Sequence, residues 1–206
     1  MERFPVMGKH ELDEDQRELW DELTLGPRGF YTGGAQAKRL PDLYNAWLHF
    51  PDFGRLMLQL GDHLRHCGEL NGRLRELVIL TTSAEMGATV EYEFHIPFAR
   101  NEGLMDDVIA DIGAGRTPVF ADPVDRTVHE ANLQLLRSHA LTAEVRQAMI
   151  EALGYRGLVQ FISAVTLYAA TAWTTNIARV KLAEDFDADP EMLMDFFAGK
   201  PVQPEE

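Results

Sequence analysis

Cysteine is almost missing from this chain: Cys67 is the only one. A single thiol excludes an intrachain disulfide framework, a CxxC redox pair and a multi-thiolate zinc site. Basic residues are scarce as well. Nineteen Lys and Arg stand against 33 Asp and Glu, a formal net charge of −14 over 206 residues. Such a surface repels phosphate backbones and anionic lipid, so neither nucleic acid nor a membrane is an expected partner. No basic segment followed by an apolar one opens the chain, nothing argues for secretion, and a cytoplasmic protein is expected. Strand-like alternation bounded by turns is absent, as are internal repeats and low-complexity runs. What remains is ordinary globular material, 46% hydrophobic and 25% charged, in a length that suits one domain with a sizeable core.

The hydrophobic spacing reads as helix throughout. Leu19 and Leu23 lie under the acidic face of a helix from Glu14. Residues 26–39 are Gly-rich and are expected to be a loop. Pro41 and Pro51 stand where first-turn prolines belong, with Leu43, Tyr44 and Trp47, then Leu56, Leu60 and Leu64, turned inward. Asn71 is a candidate cap for a helix running to about Gly87, and Thr89 for one from Val90 to about Asn101, stopped by Gly103. Asp122–Pro123 and Thr142 open two more, with Val124, Val128, Ala131 and Leu135 forming an apolar stripe on the first. The most apolar stretch, 158–178, carries too many polar residues (Gln160, Ser163, Thr166, Thr171, Thr174, Thr175, Asn176) for hydrocarbon, and reads as a central helix buried among helices or between subunits. Residues 184–206 form an acidic tail with an apolar patch, Met192, Leu193, Met194, Phe196 and Phe197, suited to a peripheral helix or a lid. The fold class is all-α.

Chemistry is concentrated between Asn71 and Leu104. Glu91 and His95 are one turn apart on one helix face, and a carboxylate so placed orients an imidazole and raises its basicity. Glu76 lies amid Leu74, Leu77, Val78 and Leu80. A carboxyl withdrawn from water holds its proton more tightly, which keeps an acid available near neutral pH. The structural alternative pairs Glu76 with Arg73 or Arg75 and leaves His95 as a satisfied core histidine. Pro97 removes the helical donor for the Glu93 carbonyl and either kinks the helix near His95 or is absorbed as a bend. Arg65, Arg73, Arg75 and Arg100 are available as a local basic mouth for a carboxylated substrate, or as surface partners of the many acids. Tyr92, Phe94, Phe98 and Trp47 are candidates for an apolar pocket or for core. His63, His66 and Cys67 lack a fourth metal ligand nearby, and a mononuclear site from Glu76, Glu91 and His95 is a minority reading; no metal and no cofactor are expected. Gly113 and Gly115 follow a helix rather than a strand, so they read as a helix stop, not a phosphate cradle.

Three phrases in order carry a resemblance. RLRELVIL is followed by E-Y-x-x-H-x-P-x-A-x-x-x-G-L (91–104); HFPDFGRLMLQLGDHLR (49–65) precedes them, and RGLVQFISAVTLYAATAWTTN (156–176) follows. Together they resemble the carboxymuconolactone decarboxylase family, which also holds the alkyl hydroperoxidase D-like proteins, and in particular its longer members. The resemblance implies an alkyl hydroperoxidase D-like helical bundle over 12–183, with 1–11 as an N-terminal tail, assembling as a homo-oligomer (trimer or hexamer) with the site at or near a subunit interface. It also matches Glu76 and His95 to the family's proton-relay pair. The two cysteines of the hydroperoxidase branch fall on Ala88 and Glu91 here, so thiol peroxidase activity is not expected, and Cys67 alone cannot supply it. The non-thiol phrase Y-E-W-A-H-H reads Val90-Glu91-Tyr92-Glu93-Phe94-His95, so Phe94 and Tyr92 replace residues that would shape the pocket.

The expected activity is cofactor-independent acid–base chemistry on a small carboxylated or lactone-type compound, of the kind met in aromatic-compound catabolism. A carbon–carbon lyase (decarboxylase) or an isomerase would use catalytic His95, Glu91 and Glu76, with Tyr92, Phe94, Phe98 and Arg73 binding substrate. The alternatives are a peroxidase-related protein lacking the cysteine pair, and a catalytically inert paralogue that binds a small ligand.

Overall fold

The computed structural model describes residues 3–181 and 190–198. Among the described residues there are helices and turns but no strand. The chain divides into two compact units, one of Met1–Asp62 with Thr174–Glu206 and one of His63–Trp173.

In the first unit, α1 (Glu14–Leu25) begins at a reciprocal cap. Asp13 Oδ1 accepts from the Gln16 amide at 2.9 Å, while the Gln16 side chain accepts from the Asp13 amide at 3.0 Å. Its apolar stripe, Leu19, Trp20 and Leu23, is fully buried. The Gly-rich segment is not the featureless loop that its composition suggests. It holds a one-turn helix, α2 (Gly29–Thr32), and a 3-10 turn, Gly34–Gln36. Two contacts that composition does not reveal impose this order. The Thr32 hydroxyl donates to the Leu23 carbonyl at 2.7 Å, and a Cβ on Gly29 would stand 2.3 Å from the Thr24 carbonyl oxygen, so only glycine permits the approach. The short α3 (Asp42–Trp47) follows, with Pro41 one residue before the helix rather than inside it.

The tail helix α10 (Pro190–Phe197) belongs to this unit, residues 184–189 and 199–206 lying outside the described residues. Phe196 and Phe197 are buried against Phe30 and Tyr31, with ring centroids between 5.7 and 6.2 Å apart. Arg28, also buried, forks onto the Asp62 carboxylate and lies 5.4 Å from the Phe196 centroid. Leu193, Phe196 and Phe197 of the tail are thus buried within this unit.

The second unit is built around α5 (Gly72–Glu85), whose residues from Leu74 to Ser83 are buried without interruption. A helix with no wet face must be covered on all sides. Here α6 (Thr89–Asn101), α7 (Asp106–Gly113) and α8 (Pro123–Ser138) supply that cover. Asn71 caps α5 as its residue type suggests, its side-chain oxygen accepting from the Leu74 amide at 2.9 Å. Thr89 does not cap α6: the helix already includes it, and Ala88 precedes it with no side-chain cap. The helix continues through Pro97 to Asn101. Asp122 caps α8 through the Val124 amide at 2.8 Å.

Before them comes α4 (Pro51–His66), and after them α9, the run Ala143–Ala178, which contains one break. Gly154 has φ 67° and ψ 178°, a region open to glycine and almost nothing else. The apolar stretch 158–178 therefore starts a fresh helical segment. Phe161, Ala164, Val165, Tyr168 and Ala172 are buried, whereas Tyr155, Val159, Ile162, Trp173 and Ile177 are exposed along its opposite side. Three of its polar residues have defined partners. Ser163 and Thr166 donate to the carbonyls one turn back. Gln160 braces the turn before α5, accepting from the Glu69 and Leu70 amides and donating to the Cys67 carbonyl. Among the described residues no helix is long and apolar enough to cross a membrane.

Candidate active site

Three side chains from two helices assemble the polar centre of the second unit. Glu76 comes from the middle of α5, and Glu91 and His95 from successive turns of α6. His95 Nδ1 lies 2.8 Å from Glu76 Oε2, and His95 Nε2 lies 3.4 Å from Glu91 Oε1. Both ring nitrogens therefore face carboxylates. Arg75 Nε stands 3.6 Å from the other Glu76 oxygen. The three members are unequally sheltered: the side chains of Glu76 and His95 are 1% and 3% exposed, that of Glu91 10%. Glu91 is the outermost, and its contact with the ring is the looser one.

Aromatic rings complete the cage. Phe94, Phe98 and Tyr168 approach the imidazole with centroids at 5.5, 5.6 and 5.7 Å, each steeply inclined to it. Tyr168 reaches in from α9 and is buried; among the described residues its hydroxyl has no hydrogen-bond partner. Burial foremost, and then the carboxylates of Glu76 and Glu91, push its ionisation up, so it stays a phenol. For His95, burial disfavours the charged ring, but the Glu76 and Glu91 carboxylates outweigh it and raise its pKa to about 9. At neutral pH the centre is an imidazolium held between two acidic side chains, with a guanidinium behind one of them.

The structure brings together Glu76, Glu91, His95, Phe94 and Phe98. Arg73 and Tyr92 are engaged elsewhere. Arg73 donates to Asp122 at 2.6 Å and Asp125 at 2.9 Å, tying α5 to the start of α8. The Tyr92 hydroxyl donates to the Ile109 carbonyl, and its ring packs where a Cβ on Gly113 would sit. Arg100 pairs with Asp106 at 2.6 Å. Of the basic residues considered for a substrate mouth, Arg75 stays at the centre, and Arg65 is close enough for its charge to act on Tyr168. Tyr168 was not among the residues singled out from the sequence. It is the tyrosine of the 156–176 phrase, 73 residues from His95, and only folding reveals the contact. Among the described residues no group of three or more His, Cys, Asp or Glu side chains is placed to hold a metal ion.

Comparison with known proteins follows the same segment. The family model described as the carboxymuconolactone decarboxylase family matches residues 51–131, which contain Glu76, Glu91 and His95. Over those residues the chain is similar to that family. Among solved structures, the alkylhydroperoxidase AhpD core described as an uncharacterized peroxidase-related protein from Ralstonia eutropha JMP134 is similar in fold. It has a TM-score of 0.66 at 18% identity, covering 98% of this chain and 97% of that one. The fold is thus alkyl hydroperoxidase D-like and all-α. A search of curated proteins finds no match to the chain.

Proposed function

We propose that this protein is a cofactor-independent acid–base enzyme, a carbon–carbon lyase (decarboxylase) or an isomerase, acting on a small carboxylated or lactone-type compound. The observation that carries the reading is the His95 ring, with a carboxylate at each nitrogen inside an aromatic cage. Glu76 is the fixed, inner partner that orients the ring. Glu91 is the outer partner that exchanges protons with solvent and yields the Nε2 side to substrate. In the decarboxylation, the electrons of the breaking C–C bond pass into an enolate as CO2 leaves. His95 then protonates the carbon, and Glu91 returns a proton from water to the ring. The unpartnered Tyr168 hydroxyl is suited to donate to the enolate oxygen, where charge develops. Phe94 and Phe98 exclude water and flank the substrate.

A positioned proton donor contributes ~10²–10⁴-fold in rate. Proton NMR in D2O with a panel of unsaturated lactone acids and β-keto acids should show deuterium incorporation or CO2 loss, and His95→Gln should lose it by that factor while staying folded. Equal turnover by the variant would overturn the assignment. Peroxide consumption that survives Cys67→Ser and fails in His95→Gln would instead favour a peroxidase-related, non-thiol reaction at the same centre. Line broadening of one compound without turnover would favour an inert ligand-binding protein.

The same reading includes a homo-oligomer, a trimer or a hexamer. The exposed side of α9 carries Tyr155, Val159, Ile162, Trp173 and Ile177 with no acid among them. For a chain of net charge −14, an uncharged stripe is where a second copy can approach at least electrostatic cost.

A further inference from the structure

The opposite side of α5 from Glu76 faces a cavity of about 330 Å³, at the small end of ligand pockets (about 300–1,000 Å³). Its apolar wall is Ile112, Pro118, Phe120 and Leu133, and its polar lining includes Thr81, His129 and three arginines, Arg116, Arg126 and Arg137. We propose that this cavity, between α5, α7 and α8, binds a small aromatic or alicyclic monocarboxylate, with its carboxylate held by the Arg126 guanidinium and the His129 imidazole.

The charges are unequally committed. Arg137 forks onto Glu85, both contacts at 2.7 Å, and Arg116 pairs with Asp111 at 2.7 Å. Arg126 makes no ion pair among the described residues. The remaining acid of the lining, Glu130, accepts from Gln134 at 3.3 Å.

His129 is the buried element of the site, 7% exposed. Its Nδ1 lies 2.9 Å from the Thr81 hydroxyl, and Phe120 leans over the ring at 5.3 Å. With the Thr81 hydroxyl, which has no other partner among the described residues, donating to Nδ1, the ring proton sits on Nε2. Nε2 has no partner among the described residues, and it offers the cavity an N–H. Burial, reinforced by Arg137, lowers the His129 pKa to about 4, so the ring remains a neutral donor. Two uncommitted donors, one cationic and one buried, ask for an anionic acceptor, and the apolar wall asks for a hydrocarbon body rather than a bare ion.

Calorimetric titration of the full chain with benzoate, alongside long-range ¹H–¹⁵N spectra of the histidine rings, tests the assignment. One equivalent should bind and shift the His129 Nε2 resonance. Arg126→Gln alters an exposed side chain and should keep the fold, yet it should weaken benzoate roughly tenfold or more, the worth of a charge-assisted hydrogen bond. Benzamide, with the same ring and no charge, should bind correspondingly weakly. His95→Gln should bind benzoate like the unmodified chain, which separates this site from the proposed active centre. No benzoate binding up to millimolar concentration, equal binding by benzamide, or an unchanged affinity in Arg126→Gln would each overturn the proposal. Inorganic phosphate matching benzoate would overturn the organic body, and binding lost in His95→Gln but kept in Arg126→Gln would move the carboxylate to the other site.

Discussion

A single imidazole decides much of the chemistry argued here, because its two nitrogens meet carboxylates of different exposure. The pKa of His95 is raised to about 9 from an ordinary 6.5. The folded state therefore binds the proton more tightly than the unfolded chain. The stability this contributes is complete below pH 6.5 and is lost as pH rises through about 9. Urea midpoints measured across that window should fall for the unmodified protein and stay flatter for His95→Gln; parallel curves would refute the linkage. Turnover that uses the imidazolium as acid should decline through the same upper limit. Tyr168→Phe removes only the unpartnered hydroxyl. If that group stabilises an enolate, turnover should fall by about 10²-fold with no loss of stability, and an unchanged rate would leave Tyr168 as packing.

Two local boundaries were read correctly from short-range interactions, whereas the Thr89 cap was not, since α6 already includes that residue. The Asn71 and Asp122 caps involve donors two or three residues away, so residue type alone reveals them. The larger failures have non-local causes. The 26–39 segment looks like a loop because glycine lowers every propensity, yet the Thr32 hydroxyl bonds an α1 carbonyl and Gly29 alone fits against another. The break at Gly154 looks like an ordinary helical glycine until its dihedrals are seen. With φ 67° and ψ 178°, a side chain there costs about 1–3 kcal/mol. Gly154→Ala should therefore lower stability by that amount in chemical denaturation. An alanine variant as stable as the original would show that the break relaxes into continuous helix.

For the molecule as a whole, the exposed stripe on α9 and the net charge of −14 pull in opposite directions. Apolar contact favours assembly, and like charge opposes it. Val159 is 62% exposed, so Val159→Glu should not disturb the interior, but it would set a carboxylate in a homotypic contact. Light scattering should then show a smaller assembly than for the unmodified chain, and an identical mass would remove this stripe as the interface. Raising salt screens the general repulsion and should favour the larger species in the unmodified protein.

The amino-acid sequence by itself determined the all-α class, the Asn71 and Asp122 caps, the shared face of Glu91 and His95, and the resemblance that joins Glu76 to them. These are consequences of hydrophobic period, of side-chain reach over three or four residues, and of motif order. Tertiary structure alone decided which candidates meet. It tied Arg73 to Asp122 and Asp125, turned Tyr92 toward α7, brought Tyr168 from a distant helix to the imidazole, and placed His129 against Thr81 beside the cavity between α5, α7 and α8. Each is a contact between helices, whose partners are set by packing around α5 on all sides, and no periodicity within one helix encodes the face that its neighbour presents.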